Sequence, residues 1–253
     1  MSRIALDLGF IQIYWYSLMI ALALLVGSIF MVLECRRQKM DEDKFVNILF
    51  WGVIFAIIGA RAYYVLFRLD YYMNYPEEMI RIWEGGLAIY GGLISGVIVI
   101  FLTAKIKRFS ALSMLDLITP ACMLGQSIGR WGNFMNREAY GRMTEIFCRM
   151  GLQTNNGEFV YVHPTFLYES LWNLIGFFFL SRFLSKGKRK YPGQCALLYF
   201  LWYGLGRMWI EGLRTDSLML GNTGIRVSQL LSLFLAFTAA ILLILNRRRY
   251  ETD

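Results

Sequence analysis

The sequence predicts an all-α polytopic membrane protein of about seven transmembrane helices, with a small extracytoplasmic cap and an interfacial arm. Two observations carry that prediction. The 253 residues are 57% hydrophobic with a mean hydropathy of +0.46, and the apolar residues gather into runs about as long as a helix needs to cross a bilayer. The basic residues, in turn, alternate along the chain rather than spreading evenly. Arg36, Arg37, Lys39 and Lys44 follow the first run; Lys105, Lys107 and Arg108 follow the third. Lys186, Lys188, Arg189 and Lys190 follow the fifth, and Arg247, Arg248 and Arg249 follow the last. Positive loops stay inside, so an outside N-terminus, a cytoplasmic C-terminus and multiple passes through a membrane are expected.

The runs cover about 11–33, 45–67, 85–104, 112–128, 165–183, 196–211 and 227–245, within a single integral-membrane domain of 1–253. The formal charge of +8, from 26 basic and 18 acidic residues, would suit a nucleic-acid binder. The apolar runs exclude that class, and the expected partner is a lipid bilayer, with no nucleic acid. Residues 2–9 lack the charged start and small-residue site of a cleavable signal peptide. Cys35, Cys122, Cys148 and Cys195 show no CxxC spacing. With one histidine, His163, in the chain, neither a disulfide framework nor a metal centre is expected. No P-loop or dinucleotide glycine pattern is present, so no cofactor is expected.

Two segments stand outside the spans. Residues 130–163 contain the turn signal Asn155-Asn156-Gly157 beside a short alternating stretch at 158–162, which predicts a small β-containing cap. Residues 68–84 are rich in aromatics at helical spacing and predict an amphipathic helix lying at the interface. No internal repeat of the kind that marks inverted-symmetry transporters is apparent.

The chemistry is expected where polar groups lie in costly places. Residues 129–142 read GRWGNFMNREAYGR. Arg130, Arg137, Arg142, Glu138, Asn133 and Asn136 crowd beside the predicted end of the fourth span, where charge is expensive. The glycines there offer a sharp turn and close approach of backbone N–H groups to a ligand. Guanidinium groups with backbone donors are what a phosphate head group needs. Tyr203, Arg207, Glu211 and Arg214 fall on one face of the sixth span. That face points into a cavity, or else Arg207 and Glu211 simply glue two helices together. Arg61, inside the second span, either snorkels to the surface or faces a polar cavity. Gly85, Gly86, Gly91, Gly92 and Gly96 flank Tyr90 and suit close helix packing or room for an acyl chain. His163-Pro164 opens the fifth span, with Tyr168 and Glu169 one to two turns in; a lone rim histidine is an ordinary capping residue as well as a candidate ligand. Tyr14, Trp15 and Tyr16 form an aromatic belt at the first span.

The stretch at 129–142 resembles the G-R-x-G-N-F-x-N signature of the bacterial prolipoprotein diacylglyceryl transferase family, which continues with an acidic residue and a closing glycine. Five further blocks agree in order: IYWYSLM (13–19), GARAYYVLF (59–67), GGLAIYGGLISG (85–96), HPTFLYES (163–170) and YGLGRMWIEGLRTD (203–216). The resemblance implies transfer of a diacylglyceryl group from phosphatidylglycerol to the lipobox cysteine of a prolipoprotein signal peptide, at the outer face of the cytoplasmic membrane. It implies that Arg130, Asn133, Glu138, Gly141, Tyr16, Tyr203, Arg207 and Glu211 correspond to functional positions of the family. Many members carry a catalytic histidine where this chain has Tyr90, so a histidine base is not obligatory at that position here. The expected catalytic set is Arg130, Arg207, Tyr90 and Glu211. Asn133, Gly141, Glu138, Tyr16, Tyr203, Arg61 and His163 are the expected substrate-binding residues. The alternative is a transporter or flippase for an anionic lipid, which the intramembrane arginines would also serve.

Overall fold

The computed structural model describes residues 4–7, 9, 12–153, 157–221 and 223–251. The elements run β1 (Ile4–Asp7), β2 (Gln12–Tyr14), α1 (Trp15–Arg37), α2 (Glu42–Leu66), α3 (Leu69–Tyr72), α4 (Ile89–Ile106) and α5 (Ala111–Asn136). They continue with β3 (Met150–Gln153), β4 (Phe159–Val162), α6 (Thr165–Ser185), α7 (Gln194–Leu213) and α8 (Val227–Glu251). A helix stands at each of the seven predicted positions. Five of them, α1, α2, α4, α5 and α8, are long and apolar enough to cross a membrane. The remaining two, α6 and α7, have 21 and 20 residues, but their apolar runs are interrupted by Glu169, Asn173 and Arg182, and by Arg207 and Glu211. Leu25, Phe50, Ile58, Leu93, Phe234 and Phe237 are all more than half exposed, the outward apolar surface of a multi-pass membrane protein.

The chain forms two compact units, one of residues 1–34 and 115–253 and one of residues 35–114. In the smaller unit α2 and α4 pack through small residues. A Cβ at Gly59 or Gly91 would run into the backbone or a side chain of the other helix, and Gly92 lies against Ala56 and Ala60. Gly91, Gly92 and Gly96 therefore serve close helix packing, one of the two uses expected of the glycines around Tyr90, whereas Gly85 and Gly86 precede the helix at positive φ. The segment after α2 is not the single amphipathic helix expected over 68–84. It is the one-turn α3 followed by 3-10 turns at Pro76–Ile80 and Ile82–Glu84. Pro76 lacks the N–H a continuing helix requires, and the tertiary anchor described below holds the broken path.

In the larger unit, paired exchanges tie the helices together. Ser127 Oγ donates to the Ser170 carbonyl (2.8 Å) and Ser170 Oγ to the Ser127 carbonyl (2.9 Å), joining α5 to α6. Trp172 Nε1 donates to the Trp202 carbonyl (3.0 Å) and Trp202 Nε1 to the Trp172 carbonyl (3.1 Å), joining α6 to α7. Gly206 and Gly176 leave the space those two indoles occupy. Gly204 meets Ala236 and the Ser232 carbonyl, so α7 and α8 also approach closely. At the start of α7, buried Asp116 of α5 accepts from the Gly193 and Ala196 amides at 2.7 and 2.9 Å and pairs with Arg189 at 3.1 Å, a cap supplied from another helix.

Three boundaries differ from the sequence-based expectations. The start of the first run becomes β2, paired antiparallel with β1, and Ile11 lies outside the described residues. The fourth span does not end near residue 128: α5 runs on to Asn136, so Gly129 and Gly132 are helical and turn nothing. The chain turns instead at Arg137 and Ala139, both at positive φ (54° and 57°). Helix contacts explain the extension, because Tyr16 packs directly on Gly132 and Arg130 bonds to Asn133 one turn on. The expected β segment appears as the antiparallel β3–β4 pair, Gly151 opposite Tyr161. Its hydrophobic underside, Met150, Leu152 and Val162, packs on Phe166. Asn155 and Asn156 of the predicted turn lie outside the described residues.

Candidate active site

The antiparallel succession α5, α6, α7 sets the geometry of the site. The C-terminal half of α5, the N-terminal turns of α6 and the C-terminal half of α7 lie at one end of the larger unit. The Ser127–Ser170 exchange sits next to Glu169 in sequence and one turn from Arg130. It fixes the α5–α6 spacing where the charged groups meet.

Glu169, only 3% exposed, is the hub. Its Oε1 lies 2.5 Å from Arg130 Nη2 and its Oε2 lies 2.8 Å from Arg207 Nη1. One carboxylate thus holds two guanidinium groups from helices far apart in sequence. Arg207 Nη2 forms an ion pair with Glu211 Oε2 at 2.6 Å, and Arg214 Nε lies 4.0 Å from the same oxygen. Glu211 Oε2 receives these as charge contacts without an aligned hydrogen bond, and its side chain is 2% exposed. Arg130 Nη1 donates to Asn133 Oδ1 at 3.0 Å; Asn133 Nδ2 donates to Glu138 Oε1 at 2.8 Å. Five of the expected residues, Arg130, Asn133, Glu138, Arg207 and Glu211, therefore form one continuous polar chain. Charges in such a low-dielectric setting interact strongly, and each needs its partners.

Glu138 aside, each arginine of the cluster has a carboxylate to match it. Arg130 and Arg207 face Glu169 and Glu211, while Arg214 takes Asp216 in a two-pronged bond of 2.9 and 2.7 Å. Those bonds hold the Asp216 carboxyl below the usual carboxylate range. Each guanidinium carries five N–H groups, so Arg130 and Arg207 retain donors beyond those used on the carboxylates. A phosphate entering the site would meet planar forks already oriented toward pairs of its oxygens.

The end of α7 is stitched to the polar chain through backbone. Gly141 N donates to the His163 carbonyl at 2.9 Å, Arg142 N to the Leu213 carbonyl at 3.0 Å and His163 N to the Arg142 carbonyl at 2.9 Å. A Cβ on Gly141 would lie 2.7 Å from the His163 Cβ, 3.1 Å from the Leu213 carbonyl oxygen and 3.1 Å from a Thr165 methyl. Only glycine fits where three segments converge. Thr165 Oγ1 closes the same junction with the Ala139 carbonyl. Arg226, 8% exposed, donates to the carbonyls of Glu211 (2.6 Å) and Arg214 (3.1 Å), satisfying the last turn of α7.

The other expected residues lie as follows. Tyr16 covers Gly132 on the α5 face. Tyr203 stacks on Tyr199 (centroids 5.8 Å apart, 8° between planes), one turn below Arg207. His163 Nδ1 lies 3.1 Å from the Tyr168 hydroxyl, while its backbone carries the Gly141 junction. Arg61 belongs to the smaller unit, where it donates to four carbonyls: Met79 (2.9 Å), Gly85 (2.8 Å), Gly86 (3.0 Å) and Glu78 (2.6 Å). It also stands over the rings of Tyr64 and Tyr72. Buried to 8% exposure, it anchors the arm that follows α2. Tyr90 opens α4 in the same unit and is 62% exposed.

Sequence reasoning placed no role on Glu169, the group on which both arginines converge. The available signal was electrostatic. Two arginines expected in one apolar cavity require a counter-charge, and Glu169 is the sole acidic residue of its predicted span.

Comparison with known proteins identifies the family. The family model described as prolipoprotein diacylglyceryl transferase matches residues 3–245. Proteins named phosphatidylglycerol–prolipoprotein diacylglyceryl transferase share this sequence closely. Those of Pediococcus pentosaceus and Lactiplantibacillus plantarum are each 43% identical over 98% of this chain, covering 91% and 90% of their own lengths. That of Streptococcus uberis is 41% identical over 97% of this chain and 95% of its own length. With the family model and its relatives spanning nearly every residue, the chain belongs to the prolipoprotein diacylglyceryl transferase family.

Proposed function

We propose that this protein transfers the diacylglyceryl group of phosphatidylglycerol to the lipobox cysteine of a prolipoprotein, the first step of lipoprotein maturation. The observation that carries the proposal is the convergence of Arg130 and Arg207 on Glu169, in a chain whose relatives bear that activity in their names.

The reaction is a displacement at carbon. The cysteine sulfur attacks the glyceryl carbon that carries the phosphate ester. A C–S bond forms, the C–O bond breaks, and the electron pair leaves on glycerol phosphate; the thiol proton passes to a base or to the departing phosphate. Negative charge grows on the leaving phosphate, so the fixed cations that surround it stabilise the transition state more than the substrate. Arg130 and Arg207 take that role, pre-oriented by Glu169 and Glu211, with Asn133 and Glu138 fixing the Arg130 end. The same cations favour the thiolate form of the nucleophile. Tyr203, Tyr16 and the Gly141 junction shape the walls, and His163 supports that junction. Arg61 acts through the arm it anchors. Tyr90 occupies the family's histidine position. A tyrosine accepts a proton only where cations stabilise its phenolate, so its hydroxyl either takes the thiol proton with such help or orients the lipid.

The membrane orientation follows from charge. An outside N-terminus puts the polar ends of α5, α6 and α7 on the extracytoplasmic side. Counting α6 and α7 as spans or not leaves the C-terminus cytoplasmic, because together they make an even number of crossings. The anionic-lipid transporter reading is disfavoured by the missing internal repeat and by the family to which the chain belongs.

One experiment tests the reading. Purified protein is incubated with phosphatidylglycerol and a lipobox peptide, and the peptide is weighed. A gain of one diacylglyceryl unit is expected, and it should vanish when the peptide cysteine is replaced by serine. An unmodified peptide would overturn the assignment. The Tyr90→Phe variant in the same assay isolates the hydroxyl: undiminished transfer would remove Tyr90 from any proton role.

A further inference from the structure

At the end of α6 opposite Glu169 lies a cavity of about 160 Å³, lined by Phe179, Arg182, Phe183, Lys186 and Lys188. Arg182 sits about 20 Å along the helix axis from Glu169 at 1.5 Å per residue, and Lys186 and Lys188 sit farther still. The cavity is therefore distinct from the arginine–carboxylate cluster.

Its construction is specific. Phe179 stacks on Trp202 of α7 (centroids 5.6 Å apart, 19° between planes), which fixes one apolar wall. Helix α6 then ends in a left-handed turn. Gly187 takes φ 62°, Gly187 N donates to the Leu184 carbonyl (3.1 Å) and Lys188 N to the Phe183 carbonyl (3.3 Å). This closing motif satisfies the terminal carbonyls and folds Lys188 back beside Phe183. The stems of three cationic side chains thus border a largely apolar hollow, and all three residues are exposed to solvent. The next basic residue, Arg189, is committed to buried Asp116. Among the described residues no carboxylate pairs with Arg182, Lys186 or Lys188. Topology signals require positive charge in a loop but do not require it to border an apolar cavity.

We propose that this cavity binds an anionic phospholipid, with Arg182, Lys186 and Lys188 holding its phosphate and Phe179 and Phe183 meeting the first methylenes of a chain. The volume admits a phosphate or a few methylenes, not a whole lipid. That suits a ligand whose chains continue into the surrounding bilayer. Cations at the membrane surface attract anionic head groups, and the aromatic walls add the apolar contact that a free anion would not use. In the orientation argued above, this site faces the cytoplasmic leaflet, away from the transfer chemistry.

The test uses the full chain in detergent with dioleoylphosphatidic acid or dioleoylphosphatidylcholine, and counts retained lipid by native mass spectrometry. The triple variant Arg182→Gln, Lys186→Gln, Lys188→Gln should bind phosphatidic acid at least ~10-fold more weakly, since each cation at the membrane surface adds to the attraction of an anionic head group. Phosphatidylcholine retention should stay unchanged. The positions are exposed, and matching thermal melts check the fold. Should the triple variant fold poorly, Lys188→Gln alone is expected to weaken phosphatidic acid binding several-fold. Equal affinity in the folded variants would overturn the proposal. Displacement of phosphatidic acid by millimolar inorganic phosphate would also overturn it, because it would mark a simple anion site rather than a lipid site.

Discussion

The conservative substitution Arg207→Lys separates a positioned fork from a mere positive charge. Arg207 reaches Glu169 Oε2 with Nη1 at 2.8 Å and Glu211 Oε2 with Nη2 at 2.6 Å, and both carboxylates are almost wholly buried. One ammonium is a point charge. It keeps the formal balance of the cluster but cannot hold two carboxylates in those directions while offering further N–H groups to a phosphate. A hydrogen bond to a charged group contributes about 1.5–3 kcal/mol, and each 1.4 kcal/mol of lost transition-state stabilisation is tenfold in rate. Losing one such bond therefore predicts a fall of about 10- to 100-fold in kcat/KM. The assay is transfer to a lipobox peptide from phosphatidylglycerol micelles, scored per folded enzyme, with thermal melts run in parallel. A lysine variant that transfers within about twofold of wild type would refute the reasoning and leave Arg207 a structural cation.

Three further perturbations probe the frame. Gly141→Ala puts a methyl into the His163, Leu213 and Thr165 convergence and should destabilise by about 1–3 kcal/mol, read as a lower Tm; an unchanged Tm would show that the junction can open. Arg61→Gln removes donors from four carbonyls. Limited proteolysis should then cut the segment after α2 faster than in wild type, and Arg61→Lys should rescue it only in part; equal cleavage rates would show the anchor to be dispensable. Asp216 has a depressed folded-state pKa from the Arg214 bonds. Its stabilising contribution is present above the unfolded value of about 3.9 and is lost as pH falls through the lower folded value. Asp216→Asn should therefore lower the Tm at neutral pH and converge on wild type in strong acid; a Tm gap that does not change with pH would contradict the coupling.

Much of the fold was legible because the bilayer imposes a simple rule. An apolar run of sufficient length becomes a helix, since no other lone segment satisfies its backbone in hydrocarbon. All seven predicted positions are helical, and five of those helices are long and apolar enough to cross a membrane. The polar ends were harder to place. The expectation that α5 stops near residue 128 read Gly129 and Gly132 as turn residues, whereas Tyr16 packing on Gly132 and the Arg130–Asn133 bond keep the helix going to Asn136. Likewise, the aromatic spacing of 68–84 suggested a helix, but Pro76 and the Arg61 anchor produce two 3-10 turns instead. Propensity is a local property, and tertiary contacts overrode it.

The same division holds for the site. The sequence by itself determined the helix positions, the arginines and acids set within or beside apolar runs, and the family, because composition and motif order need no coordinates. Which charges meet was decided by tertiary structure alone. Arg130 and Arg207 share Glu169 only because α5, α6 and α7 are pinned at fixed spacing by the serine and tryptophan exchanges. Arg61, equally suspicious in sequence, spends its fork on the backbone of the arm. A buried ion must find its partner in three dimensions, and pairing across 38 or 39 residues leaves no periodic trace along the chain.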